Sequence, residues 1–264
     1  MNLLRHAWPA LAIAAAACSP APRASRPPAA MTSGAERDYA PPPAAVTAAR
    51  MGGGRVQISG TAPPAARVRL ASPSGQPLFT VSDAAGGWNL LLPPADSVRL
   101  FGLSAPVRGR IVQAEGYLAV TAGGEVAQLR AGSGAVVLGR TSDQVALLAA
   151  DFDRKGGAVL SGRAPADAPV AITVDGDPRG PTKADPGGAF MLALNKPLAP
   201  GAHVIEVSAG GVRRAFPLTV SPAAPLTAGP FRADVVPDGW RIDWLTPGGG
   251  VQSTVLFGPT GARA

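Results

Sequence analysis

Side chains able to act as nucleophile, base or metal ligand are scarce in this chain. Its two histidines are His6 and His203, and its single cysteine is Cys18. His6 falls in an apolar leader, which leaves His203 as the one imidazole of the body. It comes after a Pro-Gly turn in an alternating run and reads as a strand histidine. No Gly-x-Ser-x-Gly elbow, phosphate-binding glycine loop or His/Cys metal spacing occurs. A carboxylate pair could support hydrolysis without histidine, yet no spacing singles one out. The sequence therefore predicts no catalytic residue, no metal site and no cofactor. The Asp-x-x-Gly runs at Asp83 and Asp185 have a local use instead, because an Asp side chain caps the backbone two residues on and glycine accepts positive φ. A calcium site would need more oxygen ligands than one carboxylate per turn. A different constellation is Trp240, Ile242 and Trp244, which alternate with Arg241 and Asp243 and so share one strand face. Half of the four tryptophans lie on that one hairpin. The face either packs on its own module or forms an exposed aromatic platform that stacks on sugars or docks a partner.

The elements around these residues begin with a leader. Arg5 supplies a basic start, Ala7 to Ala17 is apolar, and Cys18 comes directly after Ala15-Ala16-Ala17. The stretch is shorter than the about 20 apolar residues that cross a bilayer, so residues 1–17 read as a signal peptide. Ala15-Ala16-Ala17-Cys18 resembles a bacterial lipobox, with Ala15 where that motif usually has Leu. The resemblance implies that the Cys18 thiol carries a diacylglycerol and becomes the mature N-terminus, and Ser19 after it implies sorting to the outer membrane. The alternative is an ordinary small-residue cleavage site with an incidental cysteine. Residues 18–43, rich in Pro and Ala, bury too little to fold and read as a disordered tether. Extended at about 3.1 Å per residue, some 25 residues would reach up to about 75 Å.

The remainder is an internal duplication. Residues 54–92 return without a gap 102 positions downstream. Ser59-Gly60-Thr61-Ala62-Pro63 matches Ser161-Gly162-Arg163-Ala164-Pro165, and the run from Asp83 to Leu90 matches that from Asp185 to Leu192. A constant offset across strand-like and turn-like stretches means that one compact unit was copied whole. Alternating runs such as Val68-x-Leu70 and Val170-x-Ile172-x-Val174, separated by Pro- and Gly-rich turns, predict half-buried antiparallel strands. Trp88 and Phe190 hold equivalent places as core aromatics. Residues 142–152 look helical in isolation, with Ser142 or Asp143 as N-cap, but the repeat aligns Ala146–Asp153 with Ala44–Met51, and both are expected to be edge strands. A second echo relates Gly116-Tyr117 through Val126 to Gly239-Trp240 through Val251, at an offset of 125 from Thr121 to Val126. Both copies predict a hairpin with a glycine-rich turn. The expected organisation is all-β: an Ig-like module with hairpin over 44–140 and a second with C-terminal hairpin over 141–264.

The Ser-Gly-x-Ala-Pro motif, the Asp-x-x-Gly turn before an aromatic, and the run from Pro197 to Ala209 together resemble the bacterial Ig-like domains of envelope proteins and adhesins. The carboxypeptidase-regulatory-like β-sandwiches are the near alternative. Coverage is roughly 54–105 and 156–220. The resemblance implies two tandem antiparallel β-sandwiches and transfers no catalytic residue.

A net charge of +7 invites a polyanion reading, but Lys155, Lys183 and Lys196 are the only lysines and no basic run occurs. Scattered arginine is ordinary solvated charge, and no nucleic-acid partner is expected. The reading that results is a non-catalytic, lipid-anchored cell-envelope protein, its membrane contact made by the N-terminal lipid and its modules serving as spacer and interaction surface for an envelope protein or glycan. The alternative is a soluble periplasmic or secreted binder of glycan, peptidoglycan or another polyanion.

Overall fold

The computed structural model describes residues 41–73, 75–139, 144–237 and 239–258. The expected leader, tether and Cys18 lie outside them, apart from the last residues of the tether. The first copy folds as β1 (Ala44–Arg50), β2 (Val56–Thr61), β3 (Arg67–Ala71), β4 (Leu78–Val81), β5 (Gly87–Leu92), β6 (Arg99–Val107), β7 (Arg110–Gln113), β8 (Tyr117–Val120), β9 (Val126–Leu129) and β10 (Val136–Leu138). The second folds as β11 (Ala146–Phe152), β12 (Ala158–Arg163), β13 (Pro169–Val174), β14 (Asp177–Lys183), β15 (Ala189–Ala193), β16 (Gly201–Ala209), β17 (Val212–Val220), β18 (Phe231–Val236), β19 (Gly239–Leu245) and β20 (Val251–Phe257). In each copy a sheet ordered first-second-fifth strand faces a sheet ordered fourth-third-sixth strand. All pairings are antiparallel. The chain is thus all-β, two tandem Ig-like sandwiches, as the periodicity and the repeat predicted.

The shared motifs prove to be scaffold. Gly60 of β2 pairs with Trp88 of β5, and Gly162 of β12 pairs with Phe190 of β15. Each aromatic ring lies across its glycine, where a Cβ would meet ring atoms at 2.6 Å and 2.4 Å respectively. Both aromatics are buried, and the Trp88 indole N–H donates to the Thr61 carbonyl at 3.0 Å. The opposing strands β1 and β11 bulge at matching places, between Ala45 and Thr47 and between Leu147 and Ala149. At the Asp-x-x-Gly turn, Asp83 Oδ1 accepts from the N–H groups of Ala85 and Gly87, both at 2.8 Å, and Gly86 takes φ 86°. Asp185 repeats this with Ala189 N–H, and Asp153 does so with Lys155 and Gly157. The carboxylate oxygens serve the turn backbone, the local role that the residue types predicted.

The appended strands break the symmetry. In the first copy β8 joins β6, and β9 and β10 continue outward on that same sheet. In the second, β17 pairs with β16 along its whole length, so that place is filled. The C-terminal strands instead add to the other sheet, giving β15-β12-β11-β20-β19-β18. Their shared turn is real: Thr121 and Thr246 each exchange the same backbone bonds with residues three and four positions on. The expectation of equivalent hairpins thus holds for the turn and fails for the docking. β1 is an edge strand as expected, but β11 is not, because β20 covers it. With both faces buried, every residue of β11 after Ala146 is inaccessible, which explains why this run lacks strict alternation.

Four sheets consequently stack with three apolar layers between them. One layer fills the first sandwich around Ile58, Leu70 and Trp88, and another fills the second around Leu160, Ile172 and Phe190. The middle layer lies between the modules.

Candidate functional site at the module junction

The Trp240/Ile242/Trp244 face looks into this middle layer. Ile242 and Trp244 are each 0% exposed. They pack with Leu256 and Ala149 of the second module against Leu100, Ala119 and Leu129 of the first. Trp244 meets Tyr117 of β8 edge-on, ring centroids 5.8 Å apart at 82°. Trp240 is half-buried at the margin of the same cluster. The open-platform expectation is therefore corrected: the aromatic face is covered, and what covers it is the preceding module. Its cause is the docking of β18–β20 beside β11, which turns the β19 face toward β8 and β9.

A polar latch borders the aromatic contact. The loop after β9 presents its backbone to the second module: Ala135 N–H donates to Asp151 Oδ2 at 2.6 Å, Ser161 Oγ donates to the Ala135 carbonyl at 2.6 Å, and Gly132 N–H donates to Gln252 Oε1 at 3.1 Å. Gln252 Nε2 and the Thr254 hydroxyl both donate to Asp151 Oδ1. Thr254 Oγ1 in turn accepts the Trp244 indole N–H at 3.1 Å, tying anchor to latch. Burial pushes the Asp151 carboxyl above its ordinary range, while the bonds from Thr254, Ala135 and Gln252 pull the other way. Fixing a loop backbone in this way satisfies groups that the junction would otherwise bury unpaired.

The opposite face of β19 carries its own network. Asp243, 1% exposed, accepts from Arg241 Nε at 2.9 Å, from Ser253 Oγ at 2.7 Å and from Arg232. Arg241 continues to the Ser221 hydroxyl and carbonyl. These groups join β18, β19 and β20 to the end of β17.

His203 is held by two acceptors, Asp175 Oδ2 and the Ala199 carbonyl, each 2.7 Å from a ring nitrogen. Partial burial opposes its charge, but the bonds to Ala199 and Asp175 outweigh that and raise the imidazole above its ordinary 6.5. The bond from His203, with a second from Val204 N–H, lowers the Asp175 carboxyl below 3.8. A neutral imidazole would leave one acceptor without a donor. The His203 contribution to stability is therefore complete below about pH 6.5 and lost as pH rises through its folded value; that of Asp175 is present above about pH 4 and lost as pH falls through its folded value. An NMR titration should place His203 above 6.5, and Asp175→Asn should return it toward 6.5 and flatten the fall in melting temperature across that range.

The structure thus gathers Trp240, Ile242 and Trp244 in one internal contact. It adds Tyr117, Asp151 and Gln252, each of which has a partner more than 100 residues away. No group of three or more His, Cys, Asp or Glu able to hold a metal occurs among the described residues. A surface depression of about 80 Å³, bordered by Asp153, Arg154, Lys155 and Pro200, is small beside the about 300–1,000 Å³ of pockets that enclose organic ligands.

No family model matches the chain, and no curated protein matches it. Among solved structures, it is similar to a "Biofilm associated protein - BSP domain" at 13% identity and a TM-score of 0.24, covering 64% of this chain. The chain spans only 28% of that protein. It is also similar to the "Central Fibronectin-III array of RIM-binding protein" at 12% identity and a TM-score of 0.25, covering 83% of this chain and 89% of that one.

Proposed function

We propose that the protein is a non-catalytic, lipid-anchored component of the bacterial cell envelope, attached to the outer membrane through acylated Cys18 and lifted from it by the 18–43 tether. Its two modules act together as a spacer that carries an interaction surface for an envelope protein or glycan. The observation that carries this reading is the junction: a buried aromatic anchor and a hydrogen-bonded latch join the sandwiches into one unit. A spacer needs that coupling, since modules on a free linker transmit neither direction nor distance. The polar groups with chemical potential serve the scaffold: Asp151 holds a loop, Asp243 a hairpin, and His203 with Asp175 a turn. Metabolic labelling with palmitate tests the anchor. Wild type should take up label and fractionate with membranes, and Cys18→Ser should lose the label and appear in the soluble envelope fraction. An unlabelled wild type found in the soluble fraction would favour the soluble-binder alternative.

A further inference from the structure

Within the repeated scaffold the two copies differ at one sheet edge. β4 and β14 are the equivalent edge strands beside β3 and β13. β14 is blunted in several ways. It carries Pro178, Pro181 and Lys183, its pairing slips between Ile172 and Thr173, and Thr182 Oγ1 donates across to the Met191 carbonyl of β15 at 2.9 Å. Such devices keep an edge from recruiting another strand. At the same offset of 102, β4 has Phe79 for Pro181 and Val81 for Lys183, with an uninterrupted register to β3. Val81 is 62% exposed and Phe79 41%.

The neighbouring strand supplies the second difference. Arg67 and Arg69 lie opposite Val81 and Phe79 on the same outward face, where the second copy has Pro169 and Ala171. The Arg67 guanidinium already reaches across to β4, 3.9 Å from the Phe79 ring centroid. Continued through β6 and β7, this outward face carries no acidic residue.

We propose that β4 is a strand-addition site for an extended segment of a partner protein in which carboxylates alternate with apolar residues. Main-chain bonds to the open edge give affinity, and alternate side chains give specificity. An alternating strand turns its two sets of side chains to opposite faces: the carboxylates come to the outward face beside Phe79 and Val81, within reach of Arg67 and Arg69, and the apolar residues continue the inward face of Leu78 and Thr80. A second copy of this chain fits worse, since a β4-to-β4 pairing would set the arginines of both copies on one side with no acid between them. This deepens, and rests on, the interaction-surface half of the proposed function; palmitate incorporation at Cys18 reports the anchor half separately.

The test titrates the full chain with a fluorescein-labelled peptide alternating Glu and Val, and with a Lys/Val peptide of the same length. The Glu/Val peptide should bind at least tenfold more tightly and slow hydrogen exchange at the amides of Leu78–Val81. Phe79→Pro, which transplants the edge proline that the second copy already tolerates, should weaken binding at least tenfold, and so should Arg67→Ala with Arg69→Ala. Equal binding of both peptides, unchanged binding to the transplanted edge, or unprotected β4 amides in wild type would overturn the proposal. So would a concentration-dependent dimer of wild type that the transplanted edge abolishes, which would make the occupant a second copy. The exchange measurement uses wild type alone, so it stands even if a variant fails to fold.

Discussion

Trp244→Ala should uncouple the two modules. The side chain is fully buried, yet it lies outside the core of either sandwich, in the layer between them. Truncating a buried tryptophan costs about 3–5 kcal/mol, and here the loss falls on the junction. It also removes the edge-on contact with Tyr117 and takes from Thr254 Oγ1 the indole donor that it accepts. Wild type should melt in one calorimetric transition, because unfolding either module exposes the shared layer. The variant should split into two, with the inner cores of both sandwiches retained. Tyr117→Ala should act in the same direction, and the double variant should fall short of additivity by about 0.5–1.5 kcal/mol, the extent of an edge-to-face pair. Val235, on the adjacent strand but 73% exposed, provides the control: Val235→Ala should leave a single transition. If Trp244→Ala also melts in one transition at the wild-type temperature, Trp244 is not what couples the modules.

Local rules made the sandwiches readable and left the junction hidden. Period-2 alternation, the Asp-x-x-Gly turns and the offset of 102 placed strands and turns because each depends on neighbours close in sequence or on a second copy of the same pattern. The equivalent turns at Thr121 and Thr246 were legible for the same reason. The docking of the strands around those turns was not, since it depends on which sheet still offers a free edge. β17 runs the full length of β16 and closes one edge, whereas β7 ends at Gln113 and lets β8 take the remaining length of β6. That difference sends β20 to β11 and turns the Trp244 face inward. The alternation of Trp240, Ile242 and Trp244 correctly marked a face with something to bury, but period alone is silent on what buries it. Asp151 was visible only as one carboxylate among several, because its partners Ala135 and Gln252 are brought to it by that same docking. Continuous burial of β11 was the available hint: its run of Leu, Ala and Phe suits a strand covered on both faces better than an edge.

Gly60→Ala should be nearly as damaging as Trp88→Ala, although it adds a single methyl group. The new Cβ would lie 1.9 Å from the Ala44 carbonyl oxygen and 2.6 Å from the Trp88 ring. A flexible side chain could move aside, but the first obstacle is backbone of the paired strand β1. Trp88→Ala costs about 3–5 kcal/mol through its cavity, which is a large part of the total stability of an ordinary domain. Adding Gly60→Ala to Trp88→Ala removes the ring obstacle and leaves the carbonyl one, so the double variant should be less stable than Trp88→Ala alone but more stable than the sum of the singles. Circular dichroism in urea measures all three without depending on the tryptophan removed. The second copy offers an internal replicate: at Gly162 the obstacles are the Ala146 carbonyl at 2.2 Å and the Phe190 ring at 2.4 Å, so Gly162→Ala and Phe190→Ala should show the same order. It also supplies the conservative exchange. Since phenylalanine fills the equivalent place there, Trp88→Phe should fold and lose the indole bond to the Thr61 carbonyl, about 1 kcal/mol, along with part of the packing. A Trp88→Phe as disruptive as Trp88→Ala would mean that the two copies, despite sharing backbone and offset, do not share the packing that holds their sheets together.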